Sequence, residues 1–300
     1  MKNGFSFKGI HSRDMGVTVK SQNRPIIPEV KKTEYSALLM DGNYDFSRAN
    51  PYNREFYKNR SFELQIYING ANLNELNKKV MKISSWLMGT GDLIFDDTPN
   101  VKWIATRSGA ISYAPELRGK KAILSVEFEV LPFGYGLWST CEDITLGSEI
   151  FIGTNIPIDM PSQYTFNLTG VSQEETVLKF INYGERPIRP VITIMTDIKT
   201  RLSNIVLTHN GKELECSMGH YKYVIDCQKQ QITSDVFSSS LMGRFSGEFF
   251  EFEPGECEMG FTYLFGGVSG EENVTVTIDF FPQVLWDFDF DSMDWGDNDA

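Results

Sequence analysis

The sequence is short of the residues that most enzymes and secreted proteins depend on. Histidine occurs three times in 300 residues, which leaves little material for imidazole acid–base catalysis. Cysteine occurs four times (Cys141, Cys216, Cys227, Cys257), too few for a disulfide scaffold in a chain this long. Buried free thiols in a reducing cytosol are the expectation. No run approaches the ~18 consecutive apolar residues that a membrane span needs. The opening MKNGFSFKGIHSRD has a lone early lysine and no apolar stretch, so no secretory signal is expected. The chain therefore reads as soluble and made in the cytoplasm. Phosphate loops, G-x-G-x-x-G, G-x-S-x-G and H-E-x-x-H are all missing. Gly89-Thr90-Gly91 holds two glycines of a dinucleotide fingerprint, but these close a helix pattern instead of opening one. No internal repeat of about 20–50 residues is found.

Positive charge is scarce in one half only. Residues 1–136 carry 19 Lys+Arg against 14 Asp+Glu, a net of +5. Residues 137–300 carry 9 against 26, a net of −17. Two domains with different neighbours are expected, 1–136 and 137–300, divided near Gly136 in a glycine-bearing stretch that follows a long strand. A region at −17 will not hold DNA by its phosphates.

What is present reads as strands. SFELQIYI and LSVEFEV alternate apolar and polar residues, and RPVITIM, NIVLTHNGKELEC, KYVIDCQKQQI, GEFFEFEPGE and NVTVTIDFF are short β-rich runs. Asn210-Gly211 between two such runs signals a two-residue hairpin. One segment breaks the pattern. In NLNELNKKVMKISSWLMGTG, Leu73, Leu76, Val80, Ile83 and Leu87 repeat at helical spacing, with Trp86 beside them. Asn72 with Glu75 forms a capping-box pattern, and Gly89 supplies the stop. The expected class is mainly β: an N-terminal β-sandwich-like domain with one docked helix, and a C-terminal β-sandwich.

Four constellations carry residues capable of chemistry or binding. Asp96-Asp97 is a conceivable carboxylate pair, but FDDTPN is a turn composition. His209, Cys216, His220 and Cys227 offer four zinc-type ligands without a C-x2-C knuckle, and they fall in consecutive strands and turns. Core cysteines and water-facing histidines explain them more simply. WDFDFDSMDWGDNDA resembles a calcium loop at Asp287, Asp289 and Asp291 but lacks the glycine at Ser292 and the bidentate Glu at Asn298. There, Trp286, Phe288 and Phe290 alternate with aspartates as a last strand running into an acidic end. No catalytic, cofactor or metal residue is assigned.

The fourth is DGNYDFSRANPYNREFYKNR, residues 41–60. It holds five aromatics, four cations and three acids, and it has no helical period. A net of +1 is too little for nucleic-acid binding. A carbohydrate site would use the same aromatics. Tyr, Phe and Arg with few lysines fit a protein–protein interface best, so Tyr44, Phe46, Tyr52, Arg54, Phe56 and Tyr57 are the candidate interface residues.

The order of these elements resembles siphophage distal tail proteins. Phe5, Phe7 and Gly9 match the opening F-x-F-x-G strand; Arg24-Pro25 precedes Asp41-Gly42 with Tyr44-Asp45; and the helix ends at Trp86-Leu87. Leu93, Phe95, Asp96 and Asp97 follow, then Pro132, Phe133 and Tyr135, so about 130 residues run in the family's order. The segment SRANPYNREFYKNR is longer than the family pattern. In the second half, Asn182, Gly184 and Pro187 or Pro190, then YVIDCQKQQI and FEFEPGECEM, resemble the family's galectin-like C-terminal domain. The resemblance implies a homohexameric ring at the tail tip of a virion, assembled in the host cytoplasm. It also implies contacts with the tail tube protein, a tail-associated fibre or hub protein, the tape measure and receptor-binding proteins, while DNA passes through the ring. A carbohydrate-binding tail module and a metal-dependent hydrolase stand as alternatives.

Overall fold

Alternation of side chains along the strands decides which face of each sheet is apolar. The computed structural model describes residues 4–36, 38, 41–50, 52–115, 120–137, 164–169, 175–196, 202–217, 220–234, 245–265 and 273–288. The chain divides into two units, Met1–Tyr135 with Val284–Phe288, and Gly136–Gln283 with Asp289–Ala300.

The first unit and its exit strand run β1 (Phe5–Phe7), β2 (Ile10–His11), β3 (Val17–Asn23), β4 (Glu34–Tyr35), β5 (Tyr44–Asp45) and β6 (Arg60–Asn69). Then come α1 (Leu73–Trp86), β7 (Thr90–Phe95), β8 (Thr98–Pro115), β9 (Lys121–Val130) and β10 (Gly134–Gly136). Seven of these run in the order β2-β1-β7-β8-β9-β6-β3 within a nine-stranded sheet, which β10, paired to β8, and the later strand Gln283–Val284, paired to β10, complete. In β6, Phe62, Leu64, Ile66 and Ile68 are buried while Glu63, Gln65 and Asn69 face solvent. In β9, Leu124, Val126 and Phe128 are buried, while Ile123, Ser125, Glu127 and Glu129 on the other face are half-buried or exposed. Each fully buried apolar side chain contributes about 1.5–3 kcal/mol.

The helix closes the apolar face of this sheet. Trp86 stacks on Phe5 at 5.5 Å, and its indole N–H donates to the Phe7 carbonyl at 3.0 Å. Phe7 in turn meets Phe128 of β9 at 5.1 Å. Asn72 caps the helix, accepting from the Glu75 amide at 3.0 Å, and the Glu75 carboxylate reaches one residue past the cap to accept from the Ala71 amide at 3.0 Å, a variant of the capping box. Leu76, Ile83, Trp86 and Leu87 are buried, whereas Leu73 is 53% exposed because it sits in the first turn, ahead of the docking surface.

The second unit runs β11 (Thr165–Thr169), β12 (Thr176–Asn182), β13 (Val191–Thr196), β14 (Leu202–His209), β15 (Lys212–Cys216) and β16 (Lys222–Asp226). It continues with β17 (Gln231–Ser234), β18 (Phe245–Gly247), β19 (Gly255–Phe265), β20 (Asn273–Asp279) and β21 (Gln283–Val284). Two five-stranded antiparallel sheets form, β11-β20-β13-β16-β17 and β12-β19-β14-β15-β18. Ile192, Ile194, Val276 and Ile278 of one sheet share a core with Phe180, Leu207, Met259 and Phe261 of the other, which makes a β-sandwich.

Two local signals work as their chemistry demands. Asn210 and Gly211 have φ of 49° and 74°, the left-handed pair that a two-residue hairpin needs between His209 and Lys212. Asn182 is buried, and its Oδ1 accepts from the Gly184 amide at 3.0 Å. A Cβ on Gly184 would meet the Gln283 backbone at 2.7 Å, so only glycine fits that approach. Elsewhere the reading shifts. FFEFE is not a ladder strand; Phe250 and Phe252 are buried as loop residues, with one bridge from Phe252 to Ile188.

Candidate functional site

The excursion between β3 and β6 is held together by polar bonds, which leaves its aromatics free to face outward. Its two limbs pair through the Lys31 amide to the Phe56 carbonyl at 2.7 Å, the Lys58 amide to Glu29 at 2.8 Å and the Phe46 amide to Thr33 at 2.8 Å. Ser47 is pinned by its amide donating to Asp45 Oδ1 at 2.8 Å, and its Oγ accepts from the Thr33 amide at 3.0 Å. The Ser47 hydroxyl also donates to Asp45, and these bonds hold the Asp45 carboxyl below its usual range. Asn50 Nδ2 donates to the Arg54 and Ser47 carbonyls at 2.7 and 3.2 Å, tightening the tip. Arg48 donates to Glu55 through Nε at 3.1 Å and Nη2 at 3.0 Å.

On this frame Tyr44, Phe46, Tyr52 and Phe56 are exposed at 59, 47, 47 and 42%. Tyr44 and Phe46 lie 6.3 Å apart, and Tyr44 faces the exposed Tyr35 across the β4–β5 pair. The Arg54 guanidinium lies 5.0 Å from the Tyr52 ring and 5.7 Å from Phe56, so these three form one cluster. Ile26 and Ile27, at the root of the arm, are 60 and 71% exposed. Tyr57 is placed differently: half-buried, bridged to Val30 and edge-on to Phe133 at 5.4 Å, it anchors the base of the arm. Arg60 is 3% exposed, lies 4.8 Å from the Trp103 ring and donates to the Pro25, Ile26 and Pro132 carbonyls.

The second feature was missed in the sequence. On the face of the first sheet opposite α1, Glu63 stands directly across from Glu127, and Glu129 sits across from Ser61 and Thr106. Their described partners are neutral donors: Asn23 to Glu63 at 3.4 Å, Ser61 to Glu127 at 2.7 Å and Asn59 to Glu129 at 2.7 Å. None of the described ion pairs involves these three carboxylates. Like charges directly opposed across a sheet are destabilising, so the Glu63–Glu127 pair is kept at a cost to the fold, on a face that also carries Lys20 over the Tyr67 ring at 5.4 Å. The polar members of FELQ and VEFEV carried the signal.

The other candidates resolve as structure. Asp96 and Asp97 form the β7–β8 turn, but cations hold them. Asp96 accepts from His11 Nε2 at 2.9 Å and from Arg13 at 3.1 Å, while Asp97 pairs with Arg24. Cys216 and Cys227 are buried with Cys257 as free thiols, and burial pushes each up to about 11. His209 is held at the Glu258 carbonyl at 2.8 Å. His220, expected to face water, is 4% exposed and bridges to Leu202, edge-on to Tyr223 at 5.5 Å. Among the described residues no group of three or more His, Cys, Asp or Glu is arranged for a metal ion. Cys141 and the calcium-like positions Asp289, Asp291, Ser292 and Asn298 lie outside the described residues. In the second unit Phe281, at 36%, is the most exposed aromatic among the described residues. No helix among the described residues is long and apolar enough to cross a membrane.

Residues 13–130 match the family model of the phage tail protein RIFT-related domain. Most of the first unit is thus similar to a phage tail domain. A search of curated proteins found no match. Among solved structures, the Dit (gp 19.1) protein of phage SPP1 matches with a TM-score of 0.61 at 12% identity, over 93% of this chain and 99% of that one. It is described as a paradigm of the hub adsorption apparatus in phages that infect Gram-positive hosts. A chain of the phage P2 baseplate in its activated conformation with calcium matches at 10% identity, over 92% of this chain and 98% of that one, with a TM-score of 0.42. The resemblance to distal tail proteins read from the sequence is upheld: residues 13–130 match a phage tail domain, and the chain has the fold of a distal tail protein.

Proposed function

We propose that this tail component is the subunit of a closed hexameric ring at the tail tip, joining the tail tube to the baseplate or tail fibre. Residues 1–136 form the ring, and residues 137–300 make a soluble, galectin-like platform at its periphery. The observation that carries the reading is the exposure of Tyr44, Phe46, Tyr52 and Phe56 on an arm that hydrogen bonds already hold in shape. Aromatic side chains left at the surface of a folded arm need a partner, and Tyr with Arg is the usual composition of interface hot spots. The arm binds the next copy around the ring, a heterologous contact that closes without free ends.

The acidic sheet face supports a DNA path. Glu63, Glu127 and Glu129 would repel phosphates, so DNA would slide during ejection without sticking. The first unit's lysines and arginines lie elsewhere in part: Lys78, Lys79 and Lys82 on α1, and Lys31, Lys32, Arg48, Arg54 and Lys58 on the arm. Tube protein, hub or fibre protein, tape measure and receptor-binding proteins are the partners of this reading, in a virion assembled in the host cytoplasm. Electron microscopy of the purified chain tests it. Six-fold rings with the β6, β8 and β9 face toward the lumen are expected; rings with that face turned outward, or particles of one chain only, would overturn it.

A further inference from the structure

Trp286 and Phe288 stand at the acidic end of the sequence, yet they pack within the first unit. Val284 is 1% and Phe288 8% exposed. The Arg24 guanidinium lies 4.1 Å from the Phe95 ring and 4.6 Å from the Trp286 ring, held between two aromatic surfaces, and it pairs with Asp97. Its side chain is 8% exposed. Phe95 is itself in contact with Phe62 at 6.0 Å and Phe5 at 6.5 Å, so the sandwich rests on the core of the unit. Arginine suits the place, because a flat and weakly hydrated guanidinium can stack on both sides while its edge pairs with a carboxylate. Lysine, a point charge, cannot.

The path of the chain gives this contact its meaning. The chain leaves the first unit after Tyr135 and returns to it at Val284, and the strands at those two crossings, β10 and β21, are paired neighbours. The second unit is thus an insertion between two hydrogen-bonded strands. The returning segment reaches Arg24, the residue where β3 gives way to the arm, and Phe95 with Asp97, where β7 turns into β8. Arg24 also precedes Pro25 and Ile26, whose carbonyls Arg60 holds. The root of the arm is fastened from both sides.

We propose that Val284–Phe288 is a clasp that completes the first unit and fixes the root of its arm, so that the unit becomes competent to associate only once residues 284–288 have been made. The clasp stands on the contacts above; its consequence for association rests on the ring reading. In a chain emerging from the ribosome, residues 1–135 lack both β21 and Trp286 until the second unit has been synthesised.

Hydrogen exchange of the full-length chain carrying Trp286→Ala tests the clasp, with Trp286→Phe as the variant that keeps a ring against Arg24. The Ala variant is expected to speed exchange about tenfold or more at β7, the β7–β8 turn and the end of β3 beside Arg24, while β13 and β20 of the second unit stay as in the wild type. The Phe variant is expected to restore most of the protection. Unchanged exchange around Arg24, or an equal rise in both units, would overturn the proposal. Light scattering on the same samples separates the two readings. A wild-type chain that stays monomeric defeats the ring but leaves the exchange comparison to decide the clasp, and a ring unaffected by an opened clasp defeats the link to association.

Discussion

Both units are antiparallel β with dense aromatic cores, and they treat their surfaces in opposite ways. Among the described residues, the large apolar side chains that are well exposed in the second unit are Val177, Met195, Leu264 and Phe281. The arm of the first unit alone exposes twice as many: Ile26, Ile27, Tyr35, Leu38, Tyr44, Phe46, Tyr52 and Phe56. Charge follows the same division, +5 for residues 1–136 and −17 for residues 137–300. A monomeric surface would disperse its apolar residues and keep patches small. Among the described residues, the two units therefore differ in their connections and outward-facing positions, not in their strands.

The largest effect should come from breaking one core while sparing the other. Phe62 is buried in the first unit beside Phe95 and Trp103, and Phe252 is buried in the second beside Phe180. Phe62→Ala is expected to cost about 3–5 kcal/mol in the first unit, and Phe252→Ala a similar amount in the second. Calorimetry or exchange by unit should show each loss confined to its own side. If both variants melt both units together, the division into two cores is wrong.

Sharpening the comparison at the arm comes next. Replacing Tyr52 and Phe56 together with Ala should weaken association by about 2 kcal/mol or more and leave the melting of the monomer unchanged. Loss of the fold with an intact assembly would place these residues in the core.

A smaller effect is expected on the acidic face. Glu127→Lys with Glu129→Lys should leave the fold intact, since the exchange relieves like charges opposite Glu63. Duplex DNA affinity at low salt should rise about tenfold, with a steeper salt slope. The wild type should bind duplex DNA very weakly at physiological salt, and its docking to tube or hub should weaken as salt rises. An unchanged affinity in the charge-reversed protein would remove this face from the DNA path.

The smallest effect concerns Asp287 in the clasp. Burial pushes its carboxyl above the usual carboxylate range, and nearby Asp97 adds to the rise. A raised folded value means that protonation favours the folded form. The penalty is absent well below the unfolded value of about 3.9 and grows as pH rises from there through the raised folded value. Asp287→Asn should therefore stabilise the first unit at neutral pH by less than about 1 kcal/mol, the group being about half exposed, and do nothing near pH 3. Urea titrations at the two pH values check this, and a stabilisation largest in acid would reverse the assignment.

Much of the fold was legible because local chemistry repeats in it. SFELQIYI became β6, the helix ends where Trp86-Leu87 and Gly89 say, and Asn210-Gly211 turns with both residues in the left-handed region. The arm was legible as a composition, but not which of its aromatics point outward; Tyr57 faces Phe133 because pairing with Val30 sets its side. The acidic face was hidden because Glu63 and Glu127 lie in separate strands, and only register brings them together. Arg24 and Trp286 meet for the same reason, across the length of the chain. His220 was misread because a glycine-flanked histidine suggests a wet turn, whereas its bridge to Leu202 draws it inside.

The claim that the first unit is an associating ring subunit is tested most directly by the mass of the purified full-length chain in solution, measured by light scattering with and without its tube and hub partners. A closed ring of six 34.1 kDa chains predicts about 205 kDa, falling toward the single-chain mass in the Tyr52 and Phe56 double variant. A wild-type mass of 34.1 kDa under every condition, partners included, would contradict it.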